Sequence, residues 1–185
     1  MAFSIGEFRG KALGDGGARA NLFDVTLTGS VASGFLGAGL KEFTFACKAA
    51  AIPPMTVGTI DVPYFGRVIK VPGNKTFDNW TVTVINDEGF TVRNGFEKWL
   101  HSMGTHLTNV NLATNENLYA TAEVKQYPKT GGTTALQTYK FEKIFPVTVS
   151  EITLGWDAND AIEEFTVEFA YDYWTHTGTS GNIVT

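Results

Sequence analysis

The sequence predicts a mainly β protein, an antiparallel β-barrel or sandwich with one flanking α-helix over about residues 90–103. Apolar and polar residues alternate over several short segments, which is the period of half-buried strands. Gly, Pro and Asn residues separate these segments, as turns require. One segment, from Phe90 to Met103, instead repeats its apolar residues at helical spacing. With 185 residues, the chain fits a single domain over 1–185.

The first twenty residues predict a flexible arm. Five glycines lie within 1–20, and no apolar period is visible there. The arm nevertheless carries large apolar side chains, and segments of this kind often become ordered on a partner. We therefore expect the arm to contact another subunit through Phe3, Ile5, Phe8 and Leu13.

Two strands and a loop are predicted before the proline-rich region. Asn21 to Thr28 alternates strictly, as a half-buried strand does. Gly29 to Gly39 is typical of a glycine-rich loop. Lys41 to Lys48 alternates again, which predicts a strand with Phe43, Phe45 and Cys47 on one side.

Residues 49–77 predict a long loop or an edge hairpin that leaves the core. Four of the six prolines lie here, and proline is confined to sheet edges and turns. Exposed edges of this kind invite pairing with another chain. The candidate interface residues of this segment are Pro53, Pro54, Met55, Tyr64 and Phe65.

A strand followed by a helix is the clearest local pattern. Trp80 to Ile85 alternates, with Trp80, Val82 and Val84 predicted in the core. Asn86 or Asp87 can cap the helix that begins near Phe90, and Gly104 can end it. The helix contributes Phe96, Trp99 and Leu100 to the predicted core.

The last third of the chain predicts two hairpins. Leu118–Tyr127 pairs with Thr138–Phe145, and Val147–Leu154 pairs with Ile162–Trp174. A change of parity predicts a β-bulge near Ser150 or Glu151. The final strand places Phe165, Val167 and Phe169 in the core and gathers Glu164, Glu168 and Asp172 on its other face. Residues 178–185 predict a loose tail.

No pattern of residues predicts chemistry. Cys47 is the only cysteine, and His101, His106 and His176 lack metal-ligand spacing. No phosphate-binding loop or nucleophile elbow is present, so we expect no catalytic residue, metal or cofactor. No signal peptide or membrane-spanning run is visible, which predicts no membrane anchor.

The charge is distributed unevenly along the chain. Its net value is −5, yet the residues before Glu151 include 14 basic and 12 acidic side chains. From Glu151 onward there are seven acidic residues and no basic ones. Proteins that bind nucleic acid carry the opposite balance.

Several separated blocks of sequence resemble one family. They are the run from Pro72 to Glu88 (PGNKTFDNWTVTVINDE), Arg93 to Trp99 (RNGFEKW), Phe145 to Trp156 (FPVTVSEITLGW), and Ile162 to Phe169 (IEEFTVEF) with the Tyr173–Trp174 pair. In this order they resemble the tail tube proteins of contractile-tailed bacteriophages, over nearly the whole chain. The same fold occurs in the tube of type VI secretion systems.

The resemblance implies a structural protein. Subunits of this family form hexameric rings that stack into a hollow tube, and a contractile sheath surrounds that tube. The implied partners are further copies of the chain, the sheath protein, baseplate and terminator proteins, and a tape-measure protein and double-stranded DNA within the lumen. The implied location is the virion, with assembly in the host cytoplasm.

Alternatives remain open at this stage. A baseplate tube initiator or a secretion-system tube subunit would share the fold. A carbohydrate-binding β-sandwich module is an alternative of another class, for which exposed Trp156 and Trp174 would be needed. The acidic face formed by Glu164, Glu168 and Asp172 can be solvated exterior, a subunit contact, or the lining of a channel for DNA.

Overall fold

A computed structural model of the chain describes residues 4–12, 17–105 and 118–178. The helices are α1 (Ile5–Ala12), α2 (Ser30–Leu36), α3 (Gly39–Ala46) and α4 (Thr91–Met103). The strands are β1 (Phe23–Thr28), β2 (Cys47–Ala50), β3 (Thr56–Tyr64), β4 (Arg67–Thr76), β5 (Trp80–Ile85), β6 (Ala120–Gln126), β7 (Gln137–Val149), β8 (Glu164–Ala170) and β9 (Tyr173–Gly178). The predicted mainly β, antiparallel class is confirmed, with more helix than the single one expected.

Strand β7 belongs to two sheets. Its first half pairs with β6 and β9, and β6 pairs with β1, which forms sheet A in the order β1-β6-β7-β9. Its second half pairs with β8, which leads through β5 to β2 and forms sheet B. Every pairing is antiparallel. The bend between the sheets coincides with a positive φ of 53° at Lys143 and a register shift between Pro146 and Thr148.

The two sheets face each other across an aromatic core. Trp80 of sheet B stacks on Phe141 of sheet A with ring centroids 4.5 Å apart. Phe96 of α4 meets Phe169 of sheet B edge to face at 5.6 Å, so the helix covers the open side of the sandwich. Of the core candidates, eight are buried and Leu100 is half-buried; the buried ones are Trp80, Val82, Val84, Phe96, Trp99, Phe165, Val167 and Phe169.

Helix α4 begins and ends as the sequence predicts. Asp87 accepts hydrogen bonds from the amide and the hydroxyl of Thr91, at 3.1 and 2.9 Å. Asn86, the other candidate cap, instead donates to the Glu163 carboxylate at 2.9 Å. Gly104 follows the last turn, and its amide donates to the carbonyl of His101. The cap position itself is occupied by Phe90, with a φ of 52° and no side-chain cap bond, so Asp87 satisfies the first helical amide from three residues before that position.

The predicted loop at 29–39 and most of the predicted strand at 41–48 are wrong, because helices α2 and α3 lie there. Phe43 is fully buried whereas Phe45 is 89% exposed, although a strand would place both on one face. Glycines at helix boundaries resemble a loop in sequence, and Gly29 and Gly37 have positive φ values of 115° and 54°. Only Cys47 and Lys48 of this prediction lie in a strand.

Close contact between helices explains why α2 forms. A side-chain carbon placed on Gly95 of α4 would lie 3.1 Å from the Leu36 backbone of α2. The missing side chain lets the two helices approach, and Phe35 of α2 stacks on Trp99 at 6.1 Å. Tertiary packing therefore overrides the local signal of the glycines.

Four further features differ from the prediction. The strands expected over 138–145 and 147–154 are one strand, β7, which passes through Pro146 and ends at Val149. The β-bulge expected near Ser150 or Glu151 lies instead between Pro146 and Thr148. The last predicted strand is interrupted at Asp172 between β8 and β9. Within the arm expected to lack regular structure, Ile5–Ala12 is helical. The predicted tail begins at the last residue of β9, and its remainder lies outside the described residues.

We predict that Trp99→Ala lowers the free energy of unfolding by about 3–5 kcal/mol. The side chain is fully buried, and its indole donates to the Leu118 carbonyl at 2.9 Å, so truncation leaves a cavity and an unpaired acceptor. Urea unfolding followed by circular dichroism measures the loss. Trp156→Ala is the matched control, since Trp156 is fully exposed. Equal stability of the two variants would contradict the placement of Trp99.

We also predict that Asp87→Ala destabilises the protein by about 0.5–2 kcal/mol near neutral pH. Burial alone would raise the pKa of the Asp87 carboxyl, but the hydrogen bonds from Thr91 outweigh it and hold the pKa below its usual value. Since the folded pKa is the lower one, the contribution is present above the unfolded pKa of about 3.9 and is lost as pH falls through the folded pKa. Urea unfolding at about pH 7 and about pH 3 measures this change. The difference from the native protein should shrink in acid, whereas the exposed neighbour variant Glu88→Ala should show no such change.

Candidate assembly surfaces

Strands β3 and β4 form a hairpin that pairs with no strand of the sandwich. Its two-residue turn consists of Phe65 and Gly66, with φ values of 40° and 77°. Positive φ at both positions is the geometry of the tight turns that match strand twist. Cross-strand pairs run from Tyr64–Arg67 at the tip to Thr56–Thr76 at the base. The hairpin is thus a separate arm attached to the sandwich only at its base.

One face of this hairpin arm is apolar. The register places five large apolar side chains on the same side, and all are exposed: Ile60, Val62, Tyr64, Ile69 and Val71. The opposite side carries the ion pair Asp61–Lys70, with nitrogen and oxygen 3.1 Å apart. Phe65 at the tip is 91% exposed. A contiguous apolar face of this kind marks a surface for protein association.

The base of the hairpin arm is attached firmly to the core. The indole of Trp80 donates to the Ala51 carbonyl at 2.8 Å, and the indole of Trp174 donates to the Pro54 carbonyl at 3.3 Å. Pro53, a predicted interface residue, is buried, whereas its neighbours Pro54 and Met55 are exposed. The two indoles therefore fix the point from which the arm leaves the sandwich.

A second exposed apolar surface lies on the loop over residues 150–163, which we call the acidic loop. It contains Leu154, Ile162 and a fully exposed Trp156, around a cleft of about 450 Å³. Its four ionisable side chains are all acidic: Glu151, Asp157, Asp160 and Glu163. Tryptophan is among the residues most enriched in the energetic centres of protein interfaces.

One end of the acidic loop is held by Arg93 of α4, and the other end by Asn86, which follows β5. Arg93 donates to the Ser150 carbonyl at 3.0 Å, and its guanidinium lies 5.4 Å from the centre of the Phe165 ring. At the other end, the Asn86 side chain donates to Glu163 at 2.9 Å. These contacts position the loop before any partner arrives, which lowers the entropy lost on association.

The hairpin arm and the acidic loop leave the sandwich at opposite ends of β5. The arm ends just before Trp80, the first residue of that strand, whereas Asn86, which holds the loop, follows its last residue. Strands β5 and β8 pair along their full length, from Trp80–Phe169 to Ile85–Glu164. The two surfaces are therefore separated along the strand direction.

Sheet A has two open edges. Among the described strands, β1 pairs only with β6, and β9 pairs only with β7. Both strands contain six residues. Backbone groups on such edges are available to another chain.

The outer face of sheet A carries alternating charges. Lys125 pairs with Glu123 at 3.0 Å, and Lys140 pairs with Glu142 at 2.7 Å, each within one strand. The hydrogen bonds that the two lysines donate to these carboxylates raise the pKa of both lysines. The positive charge on this face is thus largely neutralised locally.

Of the predicted acidic residues, Glu164 and Glu168 lie on β8 of sheet B and Asp172 lies between β8 and β9, and all three have partners. Glu164 pairs with Lys48, and Asp172 pairs with Lys143 at 3.3 Å. Glu168 accepts a hydrogen bond from the Asn79 side chain at 2.9 Å. The three carboxylates are therefore not an isolated negative surface.

Of the predicted contacts in the arm, Ile5 and Phe8 lie on α1 and are exposed. Phe3 and Leu13 lie outside the described residues. The sequence did not single out the apolar residues Leu154 and Ile162, because both were placed within strands. The two residues flank a segment that contains Gly155, Asp157 and Asp160, and these turn-forming residues were the signal available.

The described residues contain no cluster that suggests chemistry. No group of three His, Cys, Asp or Glu side chains in the described ranges has metal-binding geometry. Burial and the nearby charge of Asp24 raise the pKa of the Cys47 thiol to about 12, which disfavours the reactive thiolate. His176 packs against Trp174, and His106 lies outside the described part of the chain. None of the helices described here has the length and apolar content needed to cross a membrane.

Comparison with known proteins gives consistent results. The family described as phage tail tube protein matches residues 18–177. The tail tube protein gp19 of Enterobacteria phage T4 is 35% identical over 173 residues, which cover 94% of both chains. The corresponding protein of phage T6 is 34% identical over the same length.

Solved structures show the same fold at low sequence identity. The tube-terminating cap of the anti-feeding prophage superimposes with a TM-score of 0.64 at 16% identity, covering 88% of this chain and 92% of that one. The sheath–tube complex of an extracellular contractile injection system superimposes with a TM-score of 0.56 at 14% identity, covering 96% and 100%.

Proposed function

Because the chain belongs to the phage tail tube protein family, we propose that it is the structural subunit of a contractile phage tail, in which hexameric rings stack into a hollow tube. The observation that carries the ring is the pair of matched open edges of sheet A. The surrounding contractile sheath drives this tube through the host envelope, and the genome is ejected through its lumen. The protein acts by assembly, without catalysis, metal or cofactor.

Edge β9 of one copy can pair with edge β1 of the next. Sheet A has four antiparallel strands, so β9 runs opposite to β1 and the alternation continues across the junction. If the two strands overlap fully, Thr26 lies opposite Thr175 and Leu27 lies opposite Trp174. This register keeps Leu27 and Trp174 on the core side of the sheet and Thr26 and Thr175 on its outer side, and it places Val25 opposite His176. The contact uses two different surfaces, so it can close into a ring that leaves no edge of sheet A open.

The outer face of sheet A then lines the lumen, since its other face is covered by the core. Lysines that are paired with carboxylates offer DNA phosphates little net attraction, so the genome can pass without binding tightly. Glu164 and Glu168 belong to β8 of sheet B, where we place them outside the lumen, whereas Asp172 lies between β8 and β9 and its amide donates to the carbonyl of Glu142 in sheet A. Of the three roles left open by the sequence, we therefore exclude the lining of a DNA channel for Glu164 and Glu168.

The remaining surfaces serve contacts along the tube and with other tail proteins. We assign the hairpin arm, with Met55, Tyr64 and Phe65, and α1, with Ile5 and Phe8, to contacts with further copies. The other partners are the sheath, baseplate and terminator proteins, with a tape-measure protein and DNA in the lumen. The protein assembles in the host cytoplasm and remains in the virion.

A carbohydrate-binding module receives no support from the aromatic residues. Trp174 packs against Tyr139 and donates to the hairpin base, so it cannot form a sugar platform together with Trp156. A tube initiator or a secretion-system tube subunit would share the ring contact. A neighbouring sheath gene together with portal genes would identify the phage tube.

We predict that a Thr26→Cys/Thr175→Cys variant, in a Cys47→Ser background, forms covalent oligomers that end at the hexamer. The two new thiols lie opposite each other across the β1–β9 junction, so oxidation links each copy to two neighbours. Non-reducing electrophoresis shows the ladder, and negative-stain electron microscopy shows the six-fold rings. Samples across a range of concentration and salt, with and without tail baseplates, cover template-dependent assembly.

Each single-cysteine variant is the matched control, because one thiol cannot bridge two different edges. Disulfide dimers of Thr26→Cys alone would show a symmetric contact and contradict the ring. Monomers under every condition, with baseplates present, would contradict the tube assignment as a whole.

A further inference from the structure

We infer that the tip of the hairpin arm docks on the acidic loop of a copy in the adjacent ring. This contact rests on the proposed ring, and it specifies how one ring holds the next. The occupant of the acidic loop is thus a second copy of the same chain.

The charges of the two surfaces are complementary. The hairpin arm over residues 56–76 contains three basic residues, Arg67, Lys70 and Lys75, and one acidic residue, Asp61. Lys70 is occupied by Asp61, whereas Arg67 and Lys75 have no ion pair with any residue in the described ranges. The acidic loop contains four acidic residues and no basic one. Such a match orients the two surfaces and disfavours contact between two loops or two arms.

The apolar residues of the two surfaces are also suited to each other. Tyr64 and Phe65 at the hairpin tip pack edge to face at 4.6 Å and form one aromatic projection. The acidic loop offers a cleft of about 450 Å³ lined by Ile152, Leu154 and Trp156. An aromatic projection that contacts these apolar residues, in a cleft that Glu151 and Glu163 also line, has the anatomy of an energetic centre and its rim.

The geometry makes this contact axial. Ring closure uses the lateral edges β1 and β9 of sheet A, so a contact between rings uses other surfaces. The hairpin arm and the acidic loop leave opposite ends of β5 in sheet B, so a contact between the arm of one copy and the loop of another displaces the two copies along that strand. Because each copy carries both surfaces, the contact repeats at every ring without closing, as growth of a tube requires.

Three variants of the full-length chain test this contact: Trp156→Ser, Arg67→Glu, and Asp157→Lys/Asp160→Lys. Each should raise the critical concentration for tube growth at least about tenfold, measured by sedimentation and electron microscopy. Combining Arg67→Glu with Asp157→Lys/Asp160→Lys should restore growth, because the charges are then exchanged. Phe45→Ser is the matched control, since it removes an exposed aromatic residue that lies on neither surface.

The thiol-linked hexamer separates the two proposals. Loop and tip variants that still form covalent hexamers, yet few tubes, support the axial contact. Normal tube growth in all three variants overturns this contact while leaving the ring in place. Normal tubes that no longer co-sediment with the purified sheath protein overturn it as well, and assign the acidic loop to the sheath.

Discussion

Strand β7 is the constraint on which the rest of the architecture depends. Its thirteen residues pair with sheet A in the first half and with sheet B in the second. The bend between the halves brings the two sheets face to face, so that Phe141 of one can stack on Trp80 of the other. A straight β7 would leave a single open sheet with one uncovered apolar face. The bend thus creates the core and, at the same time, leaves β1 and β9 as the two edges of sheet A.

The same core positions the assembly surfaces. Trp80 contributes its ring to the packing of both sheets and its N–H to the base of the hairpin arm. Arg93 contributes to the packing on Phe165 and holds the start of the acidic loop. Each surface is therefore connected to the interior by a residue with an apolar part and a polar donor. A substitution of a buried residue near Trp80 or Arg93 would change assembly as well as stability, because each of these side chains contacts both the core and an assembly surface.

Much of the fold was predictable where the spacing of apolar residues along the sequence matches the face that is buried in the structure. Trp80–Ile85 and Phe23–Thr28 alternate because one face is buried, and α4 repeats every third or fourth residue for the same reason. Helix α2 was missed because its burial depends on Gly95, nearly sixty positions from its last residue. Helix α3 was missed because Phe43 packs on Phe96 of the distant α4. The continuity of β7 through Pro146 was missed because proline usually ends a strand, and the register shift that accommodates it involves the partner strand β8.

The candidate surfaces were predictable in part. The sequence indicates which segments leave the core, but it does not show which apolar side chains in a loop are exposed. The proline content of 49–77 indicated a segment outside the core, and the structure shows a hairpin there with an apolar face. The acidic loop was hidden, since Leu154 and Ile162 look like core residues in sequence and their exposure follows only from the end of β7 at Val149. An apolar residue in a loop is an ordinary surface feature when it is alone. Leu154, Trp156 and Ile162 form an exposed apolar cluster, which is typical of an interaction site. Arg93 and Asn86 hold the loop that carries them, at the end of β5 opposite the hairpin arm. In the ring that we propose, closure satisfies the lateral edges of sheet A, so we place the partner of that surface in the adjacent ring.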